Sequence, residues 1–254
     1  MVELPDEAME VEFDTVAGWT ERAVRTLGPE YAVPAGCRGS GSESALRWLA
    51  DGLELSAGSR MLDDGAGVGG PAGWLAAERG VRAVCAEPMV GAVQAARRLF
   101  HLPAVVAVGQ ELPFADGSFD AAWSLGVLCT IPDKAAALAE LRRVLAPGGR
   151  AGLLVFVAVA PLTPPLPDGN EFPTEEELAG LIAGAGLRLE RAGRADLSAS
   201  PPEWLERAAA VDAEIERRHG SDERWALAQE QSGRVGRLLA DGELVPWLGI
   251  ATAR

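Results

Sequence analysis

The residues that could do chemistry are concentrated between Arg60 and Glu87. Arg60 to Gly70 reads Arg-Met-Leu-Asp-Asp-Gly-Ala-Gly-Val-Gly-Gly, an apolar start that ends in acids and then in closely spaced glycines. Glycines let the backbone adopt positive φ and let a ligand approach the main chain. Pro71 follows where the first turn of a helix would begin, a place where its missing N–H costs nothing. Such a turn would direct free N–H groups at whatever binds there. Glu87 lies about 20 residues on, and a carboxylate offers acceptors to both hydroxyls of a ribose. These types at this spacing predict a nucleotide-like cofactor site. Gly65, Gly67, Gly70 and Glu87 formally satisfy the dinucleotide fingerprint, so a nicotinamide cofactor is one reading of the loop. A glycine turn that merely joins strand to helix is the plainer one.

The elements that must position this loop follow from periodicity. Val16, Trp19, Ala23, Val24 and Leu27 recur at helical spacing and predict one helix before the core. Tyr31 to Ser42 is rich in small residues and reads as a connecting loop, or as a lid over a cofactor with Arg38 reaching a carboxylate. It ends in capping candidates for a helix over 43–53. Beyond the glycine loop the pattern alternates. Strands are expected at 60–63, 81–86, 104–108, 119–124 and 151–157, with helices at 72–78, 90–99 and 134–145 between them. A helix within 172–186, a strand at 187–191, two amphipathic helices at 202–219 and 222–239, and a last strand at 244–252 complete the series. Strands separated by helices predict an α/β doubly wound, Rossmann-like, mainly parallel sheet with ligands at the strand C-termini. One domain over 1–254 is expected. It comprises a lid and helix at 1–42, a cofactor-binding core at 43–200, a helical insert at 201–243 and a terminal strand at 244–254. The insert could be extra cover for the core or one wall of a pocket, with Trp204, Leu205 and Val211 compatible with either.

Composition narrows the partners. A net charge of −14 disfavours nucleic acid, whose phosphates need a basic surface, and likewise an anionic membrane. The three cysteines, Cys37, Cys85 and Cys129, form no C-x-x-C pair, which suits a reducing compartment and gives no metal signature. The acidic amino terminus lacks an apolar signal core, and the apolar run 151–160 is too short to span a bilayer, so a cytoplasmic protein is expected. The insert helices could face the core or a second copy of the chain, which keeps a homodimer open.

Three further stretches settle the nature of the cofactor loop by resemblance. Glu111-Leu112-Pro113-Phe114-Ala115-Asp116-Gly117-Ser118-Phe119-Asp120 is similar to the LPF-x-DGSFD signature of class I S-adenosylmethionine-dependent methyltransferases. Arg143-Val144-Leu145-Ala146-Pro147-Gly148-Gly149 resembles that family's RVLKPGG turn, and the closing order of helix, strand, insert and strand resembles its small-molecule members. The resemblance covers about Arg60 to Leu187. It implies that Asp63 and the backbone of Gly65, Ala66 and Gly67 hold the methionine end of S-adenosyl-L-methionine. Glu87 would take the ribose, Pro88 and Met89 would pack on adenine, and the Leu125 carbonyl would accept from the ammonium. S-adenosyl-L-homocysteine would be the product.

The chain also departs from that pattern. Val108 stands where the family often has an aspartate for the adenine amino group, leaving Gly109 and Gln110 to replace the contact. Leu128-Cys129-Thr130-Ile131-Pro132 stands where a histidine-bearing stretch is usual. Asp64 is also unusual. His101 is placed on the wrong end of the sheet for catalysis, and His219 reads as a helix C-terminal residue favouring the dipole. Tyr31, Arg38, Cys129, Thr130 and Trp204 are candidates for the acceptor pocket, with Asp168 and Glu171 on segments able to reach it. No residue stands out as a base, so alignment alone would drive transfer to oxygen or nitrogen of a small acceptor, in secondary metabolism. The alternatives are a methyltransferase-like fold with a non-methylating or binding role and, behind it, a nicotinamide-dependent oxidoreductase.

Overall fold

Strands buried on both faces need helices on both sides, and this chain supplies them in alternation. The computed structural model describes residues 11–164 and 166–253. Positions 1–10 of the expected lid lie outside the described residues.

A π-helical turn, Val11–Thr15, runs into α1 (Val16–Leu27), and α2 (Ala32–Gly36) and α3 (Glu43–Gly52) follow. The core then alternates: β1 (Arg60–Asp64), α4 (Gly70–Arg79), β2 (Arg82–Glu87), α5 (Val90–Phe100), β3 (Ala104–Val106), β4 (Phe119–Leu125), α6 (Lys134–Val144) and β5 (Leu145–Ala158). It closes with α7 (Glu175–Gly184), β6 (Leu187–Arg194), α8 (Pro202–His219), α9 (Glu223–Ala240) and β7 (Leu244–Ala253). The seven strands form one sheet in the order β3-β2-β1-β4-β5-β7-β6. Neighbours from β3 through β5 are parallel, and β7 runs antiparallel between β5 and β6. The order reverses between β1 and β4, which opens a crevice beyond the C-terminal ends of these strands. The glycine loop leaves β1 there.

Side chains alternate across each strand, so each sheet face has its own core. Met61, Cys85 and Trp123 meet Leu46, Leu49, Trp74 and Leu75 of α3 and α4 on one face. Leu62, Ala86 and Leu153 meet Leu138 and Leu141 of α6 and Leu178 and Ile182 of α7 on the other. A separate cluster joins the two ends of the chain: Val16, Trp19, Ala23 and Val24 pack with Val211, Ile215, Trp225 and Ala228. The insert and the N-terminal helices therefore make one helical cap.

Several expectations change in detail. The Tyr31–Ser42 segment is not all loop: Pro29–Tyr31 forms a 3-10 turn and Ala32–Gly36 a helix, because Ala32 and Ala35 bury against the cap cluster. Ser42 does cap α3, its hydroxyl accepting from Ala45 N. β3 stops at Val106, because the Val108 carbonyl turns to accept from Glu111 N. β5 begins at Leu145, with a register shift where Pro147–Gly149 bulges. His219 ends α8, as the sequence predicts, and has a second role there. It stacks on Trp19 at 4.2 Å, and burial, helped by Arg22, lowers its pKa.

The cap meets the cofactor loop glycine against glycine. A β-carbon on Gly70 would lie 2.2 Å from the Gly36 carbonyl carbon, a separation that forces one backbone to move. Gly70→Ala is expected to lift α2 from the loop, lowering Tm by about 5 °C and opening the segment 28–42 to limited proteolysis. An unchanged cleavage pattern would show that the contact does not hold the cap down.

Candidate functional site

Three carboxylates converge where β1 and β2 end. Asp63, Asp64 and Glu87 are 1%, 2% and 6% exposed, so strand geometry has carried all three into the interior. Asp63 shares a sheet face with Trp123 and Cys85, its register partners. Asp64 points to the opposite face, beside Ser124 and Ala86. Among the described residues none of the three forms an ion pair with Lys or Arg.

Glu87 is held by the main chain. Gly67 N donates to its Oε2 at 2.9 Å and Met89 N to its Oε1 at 3.0 Å. Each oxygen keeps a lone pair for a further donor. The remaining loop N–H groups turn inward as well: Gly65 N and Ala66 N both donate to the Ala86 carbonyl, and Gly69 N to Ala66 O. The sequence predicts free N–H groups aimed at the ligand; the structure uses those of 65, 66 and 67 to lock the loop onto β2 and that of 69 to close the loop on itself. What the loop presents outward is carboxylate, with Asp14 of the first turn adding another acid near Glu87.

Burial without a cation pushes these acids up. Asp63 rises to about 8 through desolvation, with the charges of Asp64 and Glu87 adding. Trp123 and Ala72 face it and offset part of the rise, yet Asp63 Oδ2 and Trp123 Nε1 close no hydrogen bond of normal geometry. Asp64 rises to about 7, again through burial, with Glu87 adding. Burial raises Glu87 too, against the pull of its two backbone donors. An uncompensated buried anion is costly, so a site of this kind fits a positively charged ligand group. It keeps the N–H groups of 65, 66, 67 and 69 from the diphosphate of a dinucleotide. The fit to a sulfonium and ammonium is good, and the fit to a nicotinamide dinucleotide is poor.

Other candidates divide between the site and the cap. Met89 stands at the N-cap of α5 and is buried with Ala17 and Val68, in touch with both α1 and the loop. Leu125 ends β4, and Val127 just beyond it lies over Gly65. Cys129 and Thr130 sit on the 3-10 turn after β4. Both turn their donors to backbone, Sγ to Gly126 O at 3.2 Å and Oγ1 to Val127 O at 2.8 Å. Burial pushes the Cys129 thiol up to about 12, so it stays protonated. Trp204 packs half-buried on the main core, whereas Tyr31 packs on the cap cluster. Arg38 does reach a carboxylate, that of Asp212 on α8. His101 lies at the far end of α5, lining a cavity of about 240 Å³ with Arg25 and Arg98. Glu171 bonds Lys134 at 3.2 Å.

One contact escapes sequence reading. Gln231 of α9 is buried and exchanges two hydrogen bonds with Asp168, at 2.9 and 2.8 Å, pinning the long loop after β5 to the insert. Its only sequence signal is a polar residue on the apolar stripe of α9.

Comparisons with known proteins agree with this geometry. Residues 62–153 match the family described as Methyltransferase domain. Methyltransferase GfsG of Streptomyces halstedii is 35% identical over 122 residues, covering 45% of this chain and 44% of that protein. The 27-O-demethylrifamycin SV methyltransferase of Amycolatopsis mediterranei (strain S699) is 34% identical over 149 residues, covering 55% and 53%. The chain thus spans about half the length of these curated relatives. Among solved structures, the [4+2]-cyclase SpnF superposes with a TM-score of 0.71 at 21% identity, covering 99% of this chain and 97% of that one.

The raised acids give a signed pH dependence. Their folded pKa values exceed the ordinary 3.8, so the folded state keeps protons that the unfolded chain has released. Stability from these groups is full below that value and falls as pH rises to about 8. Asp64→Asn should reduce the loss of unfolding free energy between pH 5 and pH 8 by about 2 kcal/mol, measured by urea titration. An equal loss in both proteins would mean that Asp64 is not ionised at a cost.

Proposed function

With residues 62–153 matching the family described as Methyltransferase domain, we propose that this protein is a class I S-adenosylmethionine-dependent methyltransferase that methylates oxygen or nitrogen of a small organic acceptor, in secondary metabolism. The observation that carries the reading is the set of buried carboxylates at the ends of β1 and β2 with inward-turned loop N–H groups. S-adenosyl-L-methionine supplies a methyl group on a sulfonium, and a cation is what this site lacks. Asp63 and the backbone carbonyls of Gly65, Ala66 and Gly67 hold the methionine end, and the Leu125 carbonyl accepts from its ammonium. Glu87 takes the ribose hydroxyls with its remaining lone pairs. Pro88 and Met89 pack on adenine, whose edge faces Gly109 and Gln110.

The chain's part in the reaction is alignment and exclusion of water. In-line displacement gains much of its rate from holding nucleophile and methyl carbon together. The Cys129 thiol and Thr130 hydroxyl are committed to backbone carbonyls, His219 to Trp19 and Glu171 to Lys134. None of these is disposed to act as a general base. Cys129 and Thr130 line the acceptor pocket with Trp204, under a cap bearing Tyr31 and Arg38. No helix among the described residues is long and apolar enough to cross a membrane. Three buried free cysteines suit a reducing cytoplasm.

A second reading has its own support. One solved structure that superposes over nearly the whole chain, SpnF, is a [4+2]-cyclase, so this fold also houses non-methylating chemistry. An acceptor screen with methyl-labelled cofactor separates the two, label on oxygen or nitrogen supporting the first.

Calorimetric titration with S-adenosyl-L-homocysteine is expected to show binding that Glu87→Ala weakens at least about 10-fold, while NADH stays silent. The heat should vary with the buffer's ionisation enthalpy at pH 7, because ammonium binding releases the proton held by Asp63. NADH binding would overturn the assignment. For turnover, Cys129→Ala and Thr130→Ala are each expected to lower kcat less than about 10-fold. A loss above 100-fold with binding intact would reveal the base that proximity catalysis excludes.

A further inference from the structure

Resting on the cofactor reading above, we propose that Asp64 reads the amino edge of the adenine, the contact that Val108 leaves without an acceptor. Neither the family match nor the resemblance assigns Asp64 a role. Its register partner on β2 is Ala86, a side chain too small to obstruct it. The carboxylate therefore reaches past β2 to the loop after β3. There, a β-carbon on Gly109 would sit 3.1 Å from both Oδ1 and Oδ2 and 3.4 Å from Ile131 Cδ1. The absence of a side chain at Gly109 is what seats the carboxylate beneath that loop.

The seat is polar on one side only. Ser124 Oγ lies beside Asp64, buried and closing no hydrogen bond of normal geometry; Glu87 adds a like charge, and Ala86 and Ile131 are apolar. A buried acceptor in such surroundings gains strongly from a donor. Adenine brings one. With Glu87 on the ribose, the strand order β3-β2-β1 leads the base across the end of β2 toward 108–110, the loop whose backbone Asp64 underlies. Val108 is apolar and half-buried, and Gln110 is half-buried at the loop's edge. An ionised carboxylate only accepts, which matches an amino group and opposes a carbonyl at the same position.

The test compares S-adenosyl-L-homocysteine with its inosine counterpart, in which a carbonyl oxygen replaces the amino group, by calorimetry at pH 8. Wild-type protein should prefer the adenosyl ligand by about 30-fold or more. Asp64→Asn, whose amide can turn its N–H to the carbonyl, should narrow that preference to about 3-fold or less. Asp64→Ser, a smaller change that keeps a polar group, should weaken the adenosyl ligand about 10-fold and leave the inosine ligand unchanged. Gln110→Ala should keep the full preference. A preference unaltered in both Asp64 variants, or lost in Gln110→Ala, overturns the proposal. Equal weakening of both ligands by either Asp64 change would reduce Asp64 to a structural role and overturn it also. Binding of neither ligand to wild-type protein would instead overturn the cofactor reading on which the proposal rests.

Discussion

The carboxylate of Glu87, clamped by the N–H groups of Gly67 and Met89, is the interaction on which this architecture turns. It ties the glycine loop after β1 to the turn after β2, and so fixes the distance between the two strand ends that a ligand must bridge. The Ala86 carbonyl reinforces it by accepting from Gly65 and Ala66. Remove the carboxylate and two buried N–H groups lose their partner, while the loop loses its register against β2. Everything further out, from Met89 against Ala17 to Gly36 against Gly70, is built on a loop held in this way.

Function and stability pull in opposite directions at this place. Asp63 and Asp64 are buried beside Glu87 with no cation to neutralise them, and the fold tolerates the cost because strand and helix packing around them is dense. A loop of glycines before a helix attracts diphosphates when its N–H groups point outward. Here those groups are consumed internally, and buried carboxylates stand at the strand ends instead.

Much of this was legible in the sequence, for physical reasons. Alternating strands and helices, the glycine loop and Glu87 carry strong local signals, and the sheet followed from them. The two amphipathic helices of the insert and the last strand also emerged where periodicity put them. The cap did not. Trp19 on His219 and Gln231 on Asp168 join segments far apart in sequence, and no local pattern encodes such pairings. The orientation of the loop N–H groups was likewise hidden, since glycine spacing fixes where a chain turns and not which way its amides face. Asp64 showed itself only as an odd residue until Gly109 and Ser124 came beside it.

The cap also has a consequence for how the chain reaches its native state. Arg218 on α8 donates to Thr26 on α1 across a separation of 192 residues. Loop closure over such a span is unfavourable until the intervening sheet has collapsed, so this pairing belongs to the last stage of folding. During synthesis, α1 is made well before α8 and waits for it. Until then the ends of β1 and β2 stay open to water and their carboxylates hydrated. The proton affinity of the site is thus acquired late, as a product of assembly.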